Sequence, residues 1–279
     1  MKILHLGLGR SGTTFLQNEI FPKLALKLNL QILKLDNIIN TIDFKNHILE
    51  NEQDLYKRLP KNFFISHEDL IDHKNEFIFF KRNFEFIKKN FPRDTIIFLT
   101  VRSPYNWLNS IYNYNIKIFN FIEEEKFFYN SSNMEATKKN KNLFNLYNFD
   151  YIFLIDLIKS YFSKVIIIKQ EELEDLNFLK NLNLKKSNII DSNISKKKII
   201  YNSSFSKTLI KYLFYINKFI NLKSLENYLN KNKIFFKYNL RFLLEKIDFV
   251  FRLKKNKIDK ENIPVDLVKL QVQYDQLKN

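Results

Sequence analysis

Residues 7–14 read GLGRSGTT and hold Gly7, Gly9 and Gly12, all three of the chain's glycines. A 279-residue chain that makes every other turn without glycine marks this backbone for a special task. A short apolar run (KILHL, 2–6) precedes it and helical spacing follows from Thr13. Glycines at such a strand-to-helix turn let successive backbone N–H groups point inward around an anion, and the helix N-terminus adds partial positive charge. Hydroxyls of Ser11, Thr13 and Thr14 can donate to phosphate oxygens. A nucleotide-triphosphatase loop would place Lys directly after its last glycine. Here Thr13 stands there and the cation, Arg10, comes earlier, which counts against an ordinary ATPase or kinase. The competing reading is a glycine turn that holds no ligand.

A second constellation follows the apolar run DTIIFLTV (94–101): Arg102, Pro104, Ser110 and Tyr112, within RSPYNWLNSIY. Arg102 falls at the carboxyl end of a predicted parallel strand, where ligands bind in open α/β sheets. Ser103 fits a helix N-cap and Pro104 the first helical turn. Ser110 then lies two turns into the helix. Arginine at the strand end and serine on the helix can grip one phosphate, the arginine in two-pronged geometry. The competing reading makes Arg102 a surface ion pair.

Together the two constellations resemble the sulfotransferase family that uses 3′-phosphoadenosine-5′-phosphosulfate (PAPS), its bacterial, carbohydrate-sulfotransferase-like members in particular. The family's [KR]-S-G-T-T loop matches Arg10, Ser11, Gly12, Thr13 and Thr14, with Gly9 in the same turn. Its R-x-P-x5-S-x-Y motif matches Arg102, Pro104, Ser110 and Tyr112. The resemblance implies that the first set holds the phosphosulfate end and that Arg102 and Ser110 hold the 3′-phosphate. It implies that Arg10 reaches the bridging oxygen, that no metal is required, and that adenosine 3′,5′-bisphosphate is the product. Weaker likenesses lie at 149–173, ending in Glu171-Glu172-Leu173, and at 201–206 (YNSSFS). Beyond about residue 206 the likeness is thin.

An acceptor hydroxyl must lose a proton as it attacks. The stretch FFISHEDLID (63–72) supplies His67, Glu68 and Asp69 at a predicted strand end, and resembles the S-x-E-x-L strand end of bacterial sulfotransferases. In a strand His67 and Glu68 would point to opposite sides. Glu68 is favoured as the base over His67; the competing reading makes Glu68 a helix cap. His5, inside the first strand, reads as a core histidine, and His47 and His73 carry no motif.

These residues need a scaffold. Strands are predicted at 2–6, 31–35, 62–66, 94–101 and 163–169. Helical segments are predicted at 13–30 with a break at Pro22, then at 74–90, 104–118 and 150–161. Alternation of this kind predicts an α/β fold with a P-loop-type central parallel sheet. Residues 123–145 are polar and weakly periodic, and read as a loop or lid. From about 200 onward the pattern is helical and basic. The expected organisation is a cofactor-binding core over 1–204 and a helical extension over 205–279 that packs on or completes the same domain.

The composition narrows the classes. Cysteine is absent, which excludes disulfides and thiol catalysis. No run reaches the ~18 uncharged apolar residues of a membrane span, and the opening apolar run is too short for a secretory signal. A cytoplasmic enzyme is expected, with nucleic acid not expected as a partner. The net charge is +16, and residues 194–260 carry 17 Lys or Arg against 4 Asp or Glu, a local excess of +13. Peripheral contact with an anionic membrane through 205–260 is one reading; solvated lysine-rich helix faces are the other. The expected activity is sulfuryl transfer from PAPS to a hydroxyl or amine, on a glycan or glycolipid, with a small-molecule, glycan or lipid-linked acceptor as the expected partner. The alternatives are a small-molecule kinase and a basic membrane- or polyanion-binding module without catalysis.

Overall fold

The computed structural model describes residues 1–33, 59–67, 70–71, 80–133, 143–147, 149–189, 205–231, 244–248 and 257–277. Five parallel strands form the central sheet: β1 (Lys2–Gly7), β2 (Gln31–Leu33), β3 (Phe63–Ser66), β4 (Ile96–Val101) and β7 (Lys164–Lys169), in the order β2-β3-β1-β4-β7. The central strands are near-continuous apolar runs because both faces of the sheet are covered. β1 lies between β3 and β4, with Leu4 opposite both Ile65 and Ile97.

One face buries Ile3, Phe64, Phe98, Ile166 and Ile168 under Leu16, Ile20, Phe21 and Leu24. Those four belong to a helical run made of α1 (Thr13–Phe15), a π segment (Leu16–Ile20) and α2 (Phe21–Lys27). The break expected at Pro22 is this π segment. Proline has no N–H to give, and the Phe21 N–H reaches back to the Leu16 carbonyl instead.

The other face buries Leu4, Leu6, Phe63, Ile65, Ile97 and Leu99. It is covered by α3 (Phe80–Asn90), α4 (Pro104–Lys117) and α6 (Tyr151–Lys159), with Phe84, Ile87, Trp107, Tyr151 and Leu154 in one cluster. The first part of the helix expected over 74–90, residues 74–79, lies outside the described residues. α7 (Lys207–Phe219), α8 (Leu222–Lys231) and α9 (Leu267–Gln276) follow. Leu213, Leu222, Ile258, Ile263, Leu270 and Tyr274 join the same cluster, so the C-terminal third shares the core of the sheet's second face.

The 123–145 segment differs from the loop or lid expected. Its described parts form a short helix α5 (Glu124–Phe127) and a two-residue parallel ladder of β5 (Phe128–Tyr129) with β6 (Phe144–Asn145). Phe127, Phe128 and Phe144 are buried in the main core. Elements of two to four residues are too short to show a period, so the anchoring aromatics were the only signal. Residues 134–142 lie outside the described set. Among the described residues no helix is long and apolar enough to cross a membrane.

Candidate functional site

The connection leaving β1 runs toward β2 on one side of the sheet, and the connection leaving β4 runs toward β7 on the other. Adjacent strands whose connections part in this way leave a crevice at their carboxyl ends. GLGRSGTT stands on one side of this crevice and Arg102 on the other.

Two positions in the loop demand glycine. At Gly7 a Cβ would lie 2.4 Å from Thr13 Cγ2 and 2.6 Å from Thr100 Oγ1, so a side chain would drive the turn off β4. Gly12 has φ 88°, in the left-handed region that L side chains avoid, and a Cβ there would lie 2.6 Å from Leu173 Cδ1. Arg10 also has positive φ, at 68°, without being glycine. Phe15 and Leu16 are the first helical N–H groups to bond back, both to the Gly12 carbonyl. The N–H groups of Thr13 and Thr14 therefore stand ahead of the first intrahelical donors, where an anion is stabilised.

The hydroxyls divide differently from the expectation of three phosphate donors. Ser11 is fully buried; its Oγ bonds the Leu8 carbonyl and reaches Thr100 Oγ1 at 3.0 Å, while its N–H donates to Leu8 O at 3.1 Å. Ser11 thus holds the loop's shape from inside. Thr13 is also buried, and Thr14 is exposed at the first helical turn. One partner of Ser11, the Leu8 carbonyl, is local; the other, Thr100, comes from β4 and leaves no sign in the motif.

Helix α4 supports the loop from the far side. Trp107 Nε1 donates to the Gly9 carbonyl at 2.8 Å. The Arg10 guanidinium lies over the Tyr114 ring, 4.5 Å from its centroid. Ser110, half-buried, is three residues after Trp107 and four before Tyr114, so all three share the helix face turned to the loop. Ser103 takes the N-cap position of α4 and Pro104 the first turn, as expected, but the Ser103 hydroxyl caps no backbone N–H and instead accepts from Asn106 Nδ2 at 2.8 Å.

Arg102 closes the crevice. Its Nη1 donates to the Arg10 carbonyl at 3.2 Å, across 92 residues of sequence. Its own carbonyl accepts from the Tyr151 hydroxyl at 2.5 Å. Burial lowers the Arg102 pKa, Glu171 raises it and the nearby Arg10 lowers it. An arginine stays charged under such pressures. Two guanidinium groups and a helix N-terminus thus converge on one crevice, a donor set that fits a multiply charged anion. Among the described residues no cluster of three His, Asp or Glu is placed to hold a metal.

Of the two base candidates, His67 follows the end of β3 and donates its N–H to the His5 carbonyl at 3.3 Å. Glu68 and Asp69 lie outside the described residues, as do His47 and His73. β3 ends at Ser66, one residue before His67. His5 is a core histidine, fully buried, with Nδ1 2.7 Å from Ser66 Oγ and Nε2 3.2 Å from Thr100 Oγ1. Burial lowers its pKa to about 3, so it is neutral at ordinary pH.

Sequence reasoning missed Thr100, which links the loop to His5, and Trp107, which holds the Gly9 carbonyl. Trp107 is the chain's single tryptophan, and that rarity was a signal. It also missed Tyr274, whose hydroxyl donates to Glu171, a link for which the local sequence carries no sign. No family model, curated protein or solved structure matches the chain.

Proposed function

We propose that the protein is a PAPS-dependent sulfotransferase built on a P-loop-type sheet, acting on a hydroxyl or amine of a glycan or glycolipid. The observation that carries the reading is the hydrogen bond from Arg102 Nη1 to the Arg10 carbonyl. It puts the two sulfotransferase-like motifs against each other at adjacent strand ends. The donor set also suits this cofactor better than a metal-bound triphosphate. The loop offers a fixed arginine and backbone N–H groups, with Thr13 where a kinase has its lysine.

When bound, PAPS supplies a sulfuryl group whose S–O bond to the 5′-phosphate breaks as the acceptor oxygen bonds to sulfur. The residues to hold its phosphosulfate end are Gly9, Arg10, Gly12, Thr13 and Thr14, with Ser11 fixing their backbone. Arg102 and Ser110 hold the 3′-phosphate. Arg10 offsets the charge that develops on the leaving phosphate oxygen; electrostatic positioning of this kind carries loose transfer reactions. Glu68, or failing it His67, takes the acceptor proton.

Calorimetric titration with adenosine 3′,5′-bisphosphate tests the reading. Micromolar binding is expected, lost in Arg10→Ala and in Arg102→Ala. A folded protein that ignores the bisphosphate and binds ATP with magnesium would be a kinase instead. Glu68→Gln should keep bisphosphate affinity and lose turnover; full activity would move the proton to His67.

A further inference from the structure

Helix α7 has three faces. Ile210 and Leu213 are buried, and the Phe214 ring sits 5.1 Å from that of Phe121. Ser206 caps the helix, accepting from the Leu209 N–H at 3.1 Å, and its own N–H donates to Asp248 at 3.0 Å. The helix is therefore fixed to the domain by one side.

The opposite side carries Tyr212, Tyr215, Ile216 and Phe219, spaced i, i+3, i+4 and i+7. They are 63%, 61%, 40% and 73% exposed. Tyr215 and Phe219 meet edge to face at 5.2 Å. Single exposed apolar residues are ordinary, but a continuous stripe along one helix face is not. Between the two sides run Lys207, Lys211 and Lys218, all exposed, and the helix holds no acidic residue. In α8, Tyr228, Lys223 and Lys231 are exposed as well.

We propose that this face of α7 seats the protein on an anionic lipid surface. Tyrosine and phenylalanine rings settle at headgroup depth, and lysines beside them stretch toward lipid phosphates. α7 holds no acid of its own, although Glu123 lies near Lys218, so its lysines complement an anionic leaflet; the sequence from 194 to 260 carries an excess of +13. The same row set against a second copy of itself would repel. This inference stands apart from the sulfotransferase reading, because its readout needs no nucleotide.

Co-sedimentation of the full chain with vesicles tests it. Binding is expected to phosphatidylcholine vesicles containing phosphatidylserine, weakened by salt, and not to phosphatidylcholine alone. Each lysine removed costs about fivefold in affinity, so K207Q/K211Q/K218Q loses roughly a hundredfold. Tyr212→Ser, Tyr215→Ser and Phe219→Ser combined lose about tenfold or more. Both variants should melt at the wild-type temperature, since they alter exposed positions only. Absence of binding to phosphatidylserine vesicles at low salt overturns the proposal, as does unchanged binding by both variants. So does a single-stranded oligonucleotide that displaces the vesicles at these residues, or a concentration-dependent dimer abolished by the serine variant.

Discussion

Tyr274 donates its phenol hydrogen to Glu171 Oε2 at 2.5 Å, while Glu171 Oε1 accepts from the Ser103 N–H at 3.1 Å. One carboxylate thereby ties the last helix to the residue that follows Arg102. Burial, then the bond to Glu171, raises the Tyr274 pKa, which keeps the phenol a donor.

Tyr274→Phe keeps the ring beside Tyr151 and under Lys169 but removes the donor. The expected loss is about 1 kcal/mol of stability, read from urea unfolding. A severalfold weaker affinity for adenosine 3′,5′-bisphosphate should accompany it, because the Ser103 backbone beside Arg102 is held less firmly. Wild-type values in both measurements would show that the bond contributes to neither.

Gly12→Ala meets two obstacles, a left-handed backbone and Leu173 Cδ1 at 2.6 Å. Left-handed backbone alone costs about 1–2 kcal/mol. A lower melting temperature is expected, together with loss of bisphosphate binding. Adding Leu173→Ala removes the contact and leaves the backbone strain, so part of the cost of Gly12→Ala should disappear in the pair. No such coupling in the double-mutant cycle would mean that Leu173 yields freely.

Trp107→Phe keeps an aromatic ring beside Phe144 and Phe149 while removing the N–H that holds the Gly9 carbonyl. About 1 kcal/mol of stability should be lost. Weaker bisphosphate binding should follow if the indole shapes the loop. Unchanged affinity would confine Trp107 to packing.

His5 gives a pH signature. Its folded pKa is about 3 against an ordinary 6.5. Between those values the unfolded chain takes up a proton that the folded chain refuses. Stability is therefore full above pH ~6.5 and falls as pH drops toward ~3, by about 1.4 kcal/mol per unit. Comparing wild type with His5→Gln, the loss between pH 7 and pH 5 should shrink by about 2 kcal/mol. Equal losses in the two proteins would mean that His5 does not titrate differently on folding.

The sheet was legible because buried parallel strands write themselves as apolar runs. All five expected strands are present, including the short edge strand β2, whose expected last two positions lie outside the described residues. The glycine cluster marked a tight strand-to-helix turn, because positive φ and close approach leave glycine few substitutes at Gly7 and Gly12. Helix α4 opened at Ser103 and Pro104 for local reasons, an extended cap followed by a residue of fixed φ. Each of these is a property of a few neighbouring residues.

What only the tertiary structure decided involves partners far apart in the chain. Ser11 belongs to the same motif as Thr14, yet its hydroxyl turns inward, where it meets Thr100 of β4 as well as the Leu8 carbonyl. Glu171 is an acidic residue on a short turn until Tyr274 and the Ser103 N–H converge on it. The stripe from Tyr212 to Phe219 lies on a helix whose other side is also apolar. It is exposed because Ile210, Leu213 and Phe214 already turn the helix's other face toward the domain. A helix with two apolar sides does not say which one it buries; the neighbours that arrive from elsewhere in the chain make that choice.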